Sequence, residues 1–309
     1  MSGHDVVVVG SVNRDYVCRA DVLPAPGETV LGGAASVGSG GKGGNQAVAS
    51  SLLGARTALV ARVGEDDDGR ALLADLGAAG VDTTEIVALD DARTGMAFVM
   101  VDARGENSIV VAPGANDLLD AGATADAVRR LLGPLGVLVT QAEIPVAAFE
   151  AAVAAAADVG CRAVVNLAPY RPISADLLAS CDPLVVNESE ASGLLGRDVR
   201  GTEQATVAAR ELVVRAASVV VTVGASGAVV ARGDDVDHVP AEHAEAVDTT
   251  GAGDAFTGAL AAALSAGCPL VDAVRIGVRA GTYAVLRPGA QASFPTGSAL
   301  GLGSLHDRG

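Results

Sequence analysis

Short runs of β-branched residues alternate with alanine-rich segments along most of the chain. The runs that read as strands buried on both faces are 6–10, 57–63, 137–140, 163–166, 184–187 and 219–223. Helical patterns separate most of them, as in residues 205–216, where apolar positions recur at i, i+3, i+4 and i+7. This alternation predicts an α/β fold with a doubly wound, mainly parallel sheet flanked by helices. Ligand-binding residues are then expected at the carboxyl ends of the strands.

Two segments interrupt this alternation and carry no helical period. Residues 12–37 contain prolines and glycines between extended stretches, and residues 93–113 contain two apolar runs that flank an Arg-Gly pair, as in a β-hairpin. We expect the two segments to pair into a small β-sheet that lies over the main domain as a lid. The main domain would then comprise residues 1–11, 38–92 and 114–300, and residues 301–309 would form a flexible tail.

Composition and charge narrow the range of partners. Half of the 309 residues are apolar, which is enough for a large core and excludes a disordered chain. A net charge of −16 opposes binding to nucleic acids and to anionic membrane surfaces, and an aromatic content of 2% leaves little material for base stacking. No export signal or spanning apolar run is visible, so we expect a cytoplasmic protein with small ligands. The four cysteines are far apart, which predicts reduced thiols.

A glycine-rich loop at residues 38–46 leads directly into a helical run, so backbone N–H groups are exposed where the helix starts. The loop contains a formal G-x-G-x-x-G, which imitates a dinucleotide-binding motif and leaves an oxidoreductase as a distant alternative. The segment before the loop is a poor buried strand, and this weighs against that alternative. Lys42 and Asn45 within the loop suit a polyol ligand.

A second loop, with the sequence Asp-Thr-Thr-Gly-Ala-Gly-Asp at residues 248–254, opens an apolar helix. Gly251 and Gly253 let the backbone turn with its N–H groups on one side, and the helix dipole adds positive potential, so the loop can hold an anion without arginine. The Asp254 carboxylate would repel a phosphate bound there, so its presence indicates a chemical role, such as accepting the proton of an attacking hydroxyl. The alternative is that Asp254 only caps the helix.

Polar side chains follow the first and third buried strands at the predicted ligand-binding edge. Asn13 and Asp15 are two residues apart, so both would point to one side of an extended segment and could grasp two hydroxyls. Glu143 follows the strand at 137–140, although carboxylates are also common on surfaces.

Two further motifs follow later strands. Asn187 and Glu190 could hold a hydrated Mg²⁺ that carries phosphates, or they could form a capping box at the start of the next helix. The glycine turn at residues 222–227 fits a hairpin as well as it fits a nucleotide contact.

Together these motifs resemble the PfkB carbohydrate kinase family over residues 6–295. The resemblance rests on residues 10–15, 26–29, 40–47, 105–107, 114–116, 187–190 and 248–254. It implies ATP-dependent phosphorylation of a sugar hydroxymethyl group, with the 5-hydroxyl of D-ribose as the expected acceptor and deoxyribose, another sugar or a nucleoside as alternatives. It also implies a β-sheet lid that closes over the sugar and forms the contact of a homodimer.

The resemblance further implies a role for each site residue. The sugar would be contacted by Asn13, Asp15, Gly41, Lys42, Asn45 and Glu143. Asp254 would be the general base, beside an anion hole formed by Gly251, Ala252 and Gly253. ATP would be contacted by Asn187, Thr222, Gly224, Gly227 and Gly253. An activating K⁺ would be bound by Asp248, Thr250, Ala284, Arg287, Gly289 and Ser293, and Mg²⁺ would be held through water by Glu190. Val278 stands where relatives usually place His or Asn near the adenine.

Overall fold

The computed structural model describes residues 3–105, 107–303 and 305. Its strands are β1 (Val6–Val9), β2 (Asn13–Arg19), β3 (Ser36–Gly40), β4 (Thr57–Gly64), β5 (Ile86–Leu89), β6 (Gly95–Val101), β7 (Asn107–Ala112), β8 (Val137–Gln141), β9 (Arg162–Asn166), β10 (Leu184–Asn187), β11 (Val219–Thr222), β12 (Ala228–Arg232) and β13 (Asp235–Val239). Its α-helices are α1 (Lys42–Leu52), α2 (Asp67–Ala78), α3 (Ala121–Leu131), α4 (Val146–Val159), α5 (Ala175–Ala179), α6 (Glu188–Leu195), α7 (Gly201–Val213), α8 (Ala252–Ser265) and α9 (Leu270–Ala284).

A nine-stranded sheet in the order β13-β12-β11-β10-β9-β8-β1-β4-β5 forms the centre of the molecule. All of its neighbours pair in parallel except β11 with β12 and β12 with β13. Alternate residues of β1 face opposite helical layers: Val6 and Val8 pack towards α1, α8 and α9, whereas Val7 and Val9 pack towards α3, α4 and α7. Burial on both faces explains the continuous apolar strands, and the predicted doubly wound α/β architecture is confirmed.

A separate four-stranded sheet has the order β3-β2-β6-β7. β6 and β7 form an antiparallel hairpin, while β2 pairs in parallel with β6, which joins the two predicted segments into one small sheet. β3 continues to Gly40, beyond the predicted boundary at residue 37. Tyr16 and Phe98 stack across this sheet with ring centroids 5.7 Å apart, and the Tyr16 hydroxyl donates to Asp68 of α2. The small lid sheet that the sequence predicted is therefore present and is tied to the main layers.

Glu106, which the sequence placed in the hairpin, lies outside the described residues, as do residues 304 and 306–309 of the predicted tail. Leu302 and Leu305, in the same predicted tail, pack against the main core. Within the described part of the chain, no helix has the length and apolar character needed to cross a bilayer.

Candidate active site

The start of α1 passes very close to the loop that leaves β1. Gly41 precedes α1 with a φ of 83°, and a Cβ there would lie 2.7 Å from the Cα of Val12. A Cβ on Gly43 would lie 2.6 Å from the carbonyl carbon of Gly10. Only glycine fits such an approach, so the glycine-rich loop brings Lys42 up against the first turn after β1.

Asp254 lies in the first turn of α8, which begins after Gly251 with a left-handed φ of 75°. Its carboxylate is 7% exposed and makes no capping bond to its own helix. Instead, Oδ2 accepts from Asn45 Nδ2 and Oδ1 accepts from Gln46 Nε2, each at 2.9 Å. Both oxygens of Asp254 are therefore bound to α1, and its role as a general base stays a prediction.

Asn13 and Asp15 reach the same site from β2. Asn116 donates to Asn13 Oδ1 at 2.8 Å and bonds both the N–H and the carbonyl of Val12, so the Asn13 amide nitrogen is turned away from Asn116. Asp15 Oδ1 is buried and has no hydrogen-bond partner within the described residues. A buried oxygen without a donor is rare, and a ligand hydroxyl would satisfy it.

The burial of Asp15 and the charges around it act on its pKa. Burial, together with the carboxylates of Glu143 and Asp254, raises the pKa of Asp15 from 3.8 to about 6, although Arg14 opposes the change. Asp15, Glu143 and Asp254 therefore all contribute negative charge to this region.

Glu143 and Lys42 complete this region. Glu143 Oε2 accepts from Ser11 Oγ at 2.6 Å and from the Lys42 backbone N–H at 3.2 Å, so it is built into the site and is not a loose surface carboxylate. Burial alone would lower the pKa of Lys42, but the carboxylates of Asp254, Glu143 and Glu190 outweigh it and raise that pKa. Lys42 is therefore held as a cation among three acidic groups.

A cavity of about 360 Å³ lies beside the start of α8. Its lining includes four residues expected to contact ATP and the residue expected near the adenine: Thr222, Gly224, Gly227, Gly253 and Val278. The turn before β12 is a hairpin turn, as one sequence interpretation had it, and it also lines this cavity; its contact with a nucleotide stays a prediction. Asn187 does not line this cavity.

Asn187 and Glu190 form the capping box that the sequence left open. Asn187 Oδ1 accepts the Glu190 N–H at 2.9 Å, and Glu190 Oε2 accepts the Asn187 N–H at 2.8 Å. Burial raises the pKa of Glu190, although the Asn187 N–H and Lys42 oppose the change. In the described part of the chain, no group of three or more His, Cys, Asp or Glu side chains could hold a metal ion.

The loop expected to bind K⁺ is organised by Asp248. Its Oδ1 accepts the Thr250 N–H and its Oδ2 accepts the Gly289 N–H, both at 2.9 Å. Burial alone would raise the pKa of Asp248. The two hydrogen bonds and the cation of Arg19 outweigh burial and lower that pKa. Arg287 stacks on Tyr283 with its guanidinium carbon 4.3 Å from the ring centroid.

Several amide side chains of the site were not singled out from the sequence. They are Gln46, Asn116, Gln141, Asn166 and Gln291. A signal was present for two of them, because Gln141 and Asn166 each close an apolar strand at the predicted ligand-binding edge. Gln291 carries no such signal, since it lies in a short 3₁₀ turn far along the chain.

Comparisons with known proteins indicate which family this chain resembles. The model of the pfkB family carbohydrate kinases matches residues 3–297. A ribokinase from Haemophilus influenzae is 35% identical over 292 residues, which cover 94% of this chain and 95% of the relative. A deoxyribokinase from Salmonella typhi is 32% identical over 294 residues, covering 94% and 96%. The structure of Arabidopsis thaliana ribokinase complexed with ribose and ATP aligns with a TM-score of 0.87 and 31% identity, covering 97% of this chain and 98% of that one.

Proposed function

Because this chain belongs to the pfkB family of carbohydrate kinases, we propose that it transfers the γ-phosphoryl group of ATP to the 5-hydroxyl of D-ribose. Family membership makes it a phosphotransferase that acts on a sugar. Its likeness to the ribokinase solved with ribose and ATP supports those two substrates. The match to a deoxyribokinase supports 2-deoxyribose as a second candidate acceptor.

The observation that carries the proposal is the position of Asp254. Its carboxylate lies at the start of α8, within a few residues of the Gly251–Gly253 backbone amides, and is held by α1. A hydroxyl bound beside Asp254 can lose its proton to the carboxylate while the amides stabilise negative charge on the transferred phosphoryl oxygens. Phosphoryl transfer has a loose transition state, so fixing the geometry matters more than a strong base.

The remaining residues supply binding and orientation. Asn13, with its amide oriented by Asn116, and Asp15, with its unpartnered buried oxygen, would hold ring hydroxyls. Gly41, Lys42 and Asn45 from the start of α1, and Glu143 from the loop after β8, would complete the sugar site. The nucleotide would occupy the cavity beside α8, in contact with Thr222, Gly224, Gly227 and Gly253, and Asn187 would contact it from outside the cavity lining.

Two metal ions fit the residues present. Mg²⁺ prefers to keep several waters and to bind phosphates, which suits a site where the described residues offer no cluster of three or more His, Cys, Asp or Glu ligands and Glu190 would act through water. Asp248, held between the Thr250 and Gly289 amides, is an oxygen donor of the kind a monovalent cation takes, with Ala284, Arg287 and Ser293 on the neighbouring segments. Mg²⁺ would neutralise phosphate charge, and K⁺ would order the loop before the anion hole.

We also propose that the small sheet forms the contact of a homodimer. Ile109, Val110 and Val111 of β7 are all about half exposed or more, and so is Phe98 of β6. A run of exposed apolar residues on one small sheet is typical of a surface that is covered in the assembly. The domain boundaries deduced from the sequence are part of the same proposal, with residues 12–37 and 93–113 supplying the lid.

An ADP-release assay tests the activity. The enzyme is mixed with ATP, Mg²⁺ and K⁺, and with ribose, 2-deoxyribose, hexoses or nucleosides in turn. We expect ribose to give the highest kcat/KM, whereas higher kcat/KM for 2-deoxyribose would favour the second candidate. ADP release with none of the sugars would contradict both.

The Asp254→Asn variant tests the chemical role. We expect kcat to fall at least ~100-fold, because the amide cannot accept the hydroxyl proton, and circular dichroism checks that the variant is folded. Asp272→Asn is the matched control, since Asp272 lies in the first turn of α9 and is exposed. Near-normal turnover by Asp254→Asn would reject the base assignment.

A further inference from the structure

Two chains of side-chain amides converge on the Asp254 carboxylate. In the first, Gln141 Nε2 donates to Gln46 Oε1 at 2.7 Å, and Gln46 Nε2 donates to Asp254 Oδ1 at 2.9 Å. In the second, Gln291 Nε2 donates to Asn45 Oδ1 at 3.0 Å, and Asn45 Nδ2 donates to Asp254 Oδ2 at 2.9 Å. We call Gln141 and Gln291 the outer glutamines, since neither donates to Asp254 itself.

The direction of the first chain is fixed at every link. Gln46 Nε2 gives one hydrogen to Asp254 and the other to Asn166 Oδ1 at 2.9 Å, while its oxygen accepts from Gln141. Asn166 cannot offer its nitrogen to Gln46, because that nitrogen donates to the Val185 carbonyl at 3.3 Å. If the Gln46 amide were flipped, its oxygen would face the acceptor oxygens of Asp254 and Asn166, and its nitrogen would face the donor nitrogen of Gln141.

The chains run through the interior of the molecule. Gln46 and Gln141 have no exposed surface, and Asn45, Asn166 and Asp254 are each less than 9% exposed. A buried amide stabilises the fold no better than leucine would, because its hydrogen bonds mainly offset the loss of water. Glutamine at these positions therefore indicates a requirement for donors aimed at the carboxylate.

We propose that the outer glutamines are positioning residues for Asp254, acting through Gln46 and Asn45. This inference rests on the proposed function, in which Asp254 accepts the proton of the sugar hydroxyl. With both inner amides locked as donors, the carboxylate has a single orientation, and each oxygen keeps a free lone pair. A loose transition state places more weight on the position of the carboxylate than on its strength as a base.

Gln141→Met tests the proposal, because methionine keeps the volume and removes the donor. Once wild-type ADP release with the sugar is measured, we expect kcat of Gln141→Met to be about tenfold lower with KM for the sugar within twofold. Thr140→Val is the matched control, since Thr140 is the buried neighbour in β8 and its hydroxyl has no partner among the described residues. We expect the control to retain kcat within twofold.

A double-mutant cycle separates positioning from general packing. If Gln141 acts through Gln46, then adding Gln141→Met to Gln46→Met produces little further loss of kcat. The proposal is overturned if Gln141→Met leaves kcat unchanged or increases it, or if it changes KM alone. It is also overturned if the losses of kcat in the double mutant are fully additive. A wild-type enzyme that releases no ADP with any sugar would instead defeat the proposed function, and this inference with it.

Folding of the buried variant is a separate question that a second variant answers. Gln291 is only partly buried and lies in a short turn, so Gln291→Met disturbs the core less. If Gln141→Met does not fold, Gln291→Met takes its place as the test. The proposal is supported if Gln291→Met lowers kcat severalfold in the wild type but causes no further loss when it is added to Asn45→Ala. Wild-type kcat in Gln291→Met would then overturn it.

Discussion

Asp15 is the residue whose replacement we expect to stabilise the protein while weakening the enzyme. Asp15→Asn removes a carboxylate that burial and the charges of Glu143 and Asp254 make costly to ionise. Raising its pKa from 3.8 to about 6 corresponds to roughly 3 kcal/mol of unfavourable free energy at neutral pH. Because the side chain is partly exposed, we expect Asp15→Asn to raise the free energy of unfolding by about 1 to 3 kcal/mol at pH 7.5.

The sign of the pH dependence follows from the direction of the change. A carboxyl whose pKa is higher in the folded protein binds more protons there, so the folded state loses stability as pH rises from about 4 to above 6. The penalty is complete above pH 6 and has largely disappeared below pH 4. The stability advantage of Asp15→Asn over the wild type should therefore shrink to about a third between pH 7.5 and pH 4.5.

Urea denaturation of the ligand-free proteins at the two pH values measures this difference. Asp21→Asn is the control, since Asp21 is an exposed aspartate next to the end of β2, and its effect should stay within about 0.5 kcal/mol. In the ADP-release assay, Asp15→Asn should lower kcat/KM for the sugar by about 10- to 100-fold. Equal or lower stability of Asp15→Asn at pH 7.5, or an advantage that does not shrink at pH 4.5, would refute the reasoning.

Three other results are expected from the same geometry. Gly43→Ala should lower the free energy of unfolding, measured in urea, by more than about 2 kcal/mol, because its Cβ would clash with the Gly10 backbone. The control Gly77→Ala has open space in α2 and should raise that free energy by about 0.5 kcal/mol. Equal effects of the two variants would contradict the close approach of Gly43 to Gly10. Exchanging K⁺ for Na⁺ should lower kcat in the ADP-release assay, and indifference to the cation would remove the proposed role of Asp248. Asn187→Ala should lower the free energy of unfolding by about 1 kcal/mol and raise KM for ATP; an unchanged KM would leave Asn187 as a cap alone.

The fold was predictable because its signals are local. Strands such as β1 and β10 are apolar on both faces, and the helices between them carry a clear period, so sequence alone indicates a doubly wound sheet. The hairpin of β6 and β7 is equally local. Strand boundaries were less predictable, as β3 shows, because its residues Ser36–Gly40 are largely exposed and include two glycines.

The site was only partly predictable, for a physical reason. Asn13, Asp15 and Asp254 stand out because charged or amide groups at strand ends and helix starts are conspicuous in an apolar chain. The role of Gln46 depends on partners about 95 and 208 residues away, and no local pattern encodes such contacts. The contacts of Asp254 with α1 were likewise invisible in the sequence, and its role as a base stays a prediction.

The long separations within the site also bear on how the enzyme is made. Asn45 bonds Asp254 across 209 residues and Gln291 across 246, so a nascent chain on the ribosome cannot close the site until nearly all of these residues have emerged. Until then, the buried amides of α1 face water or a chaperone. Chains released early by stalled translation should lack turnover altogether, even where their first strands have already paired.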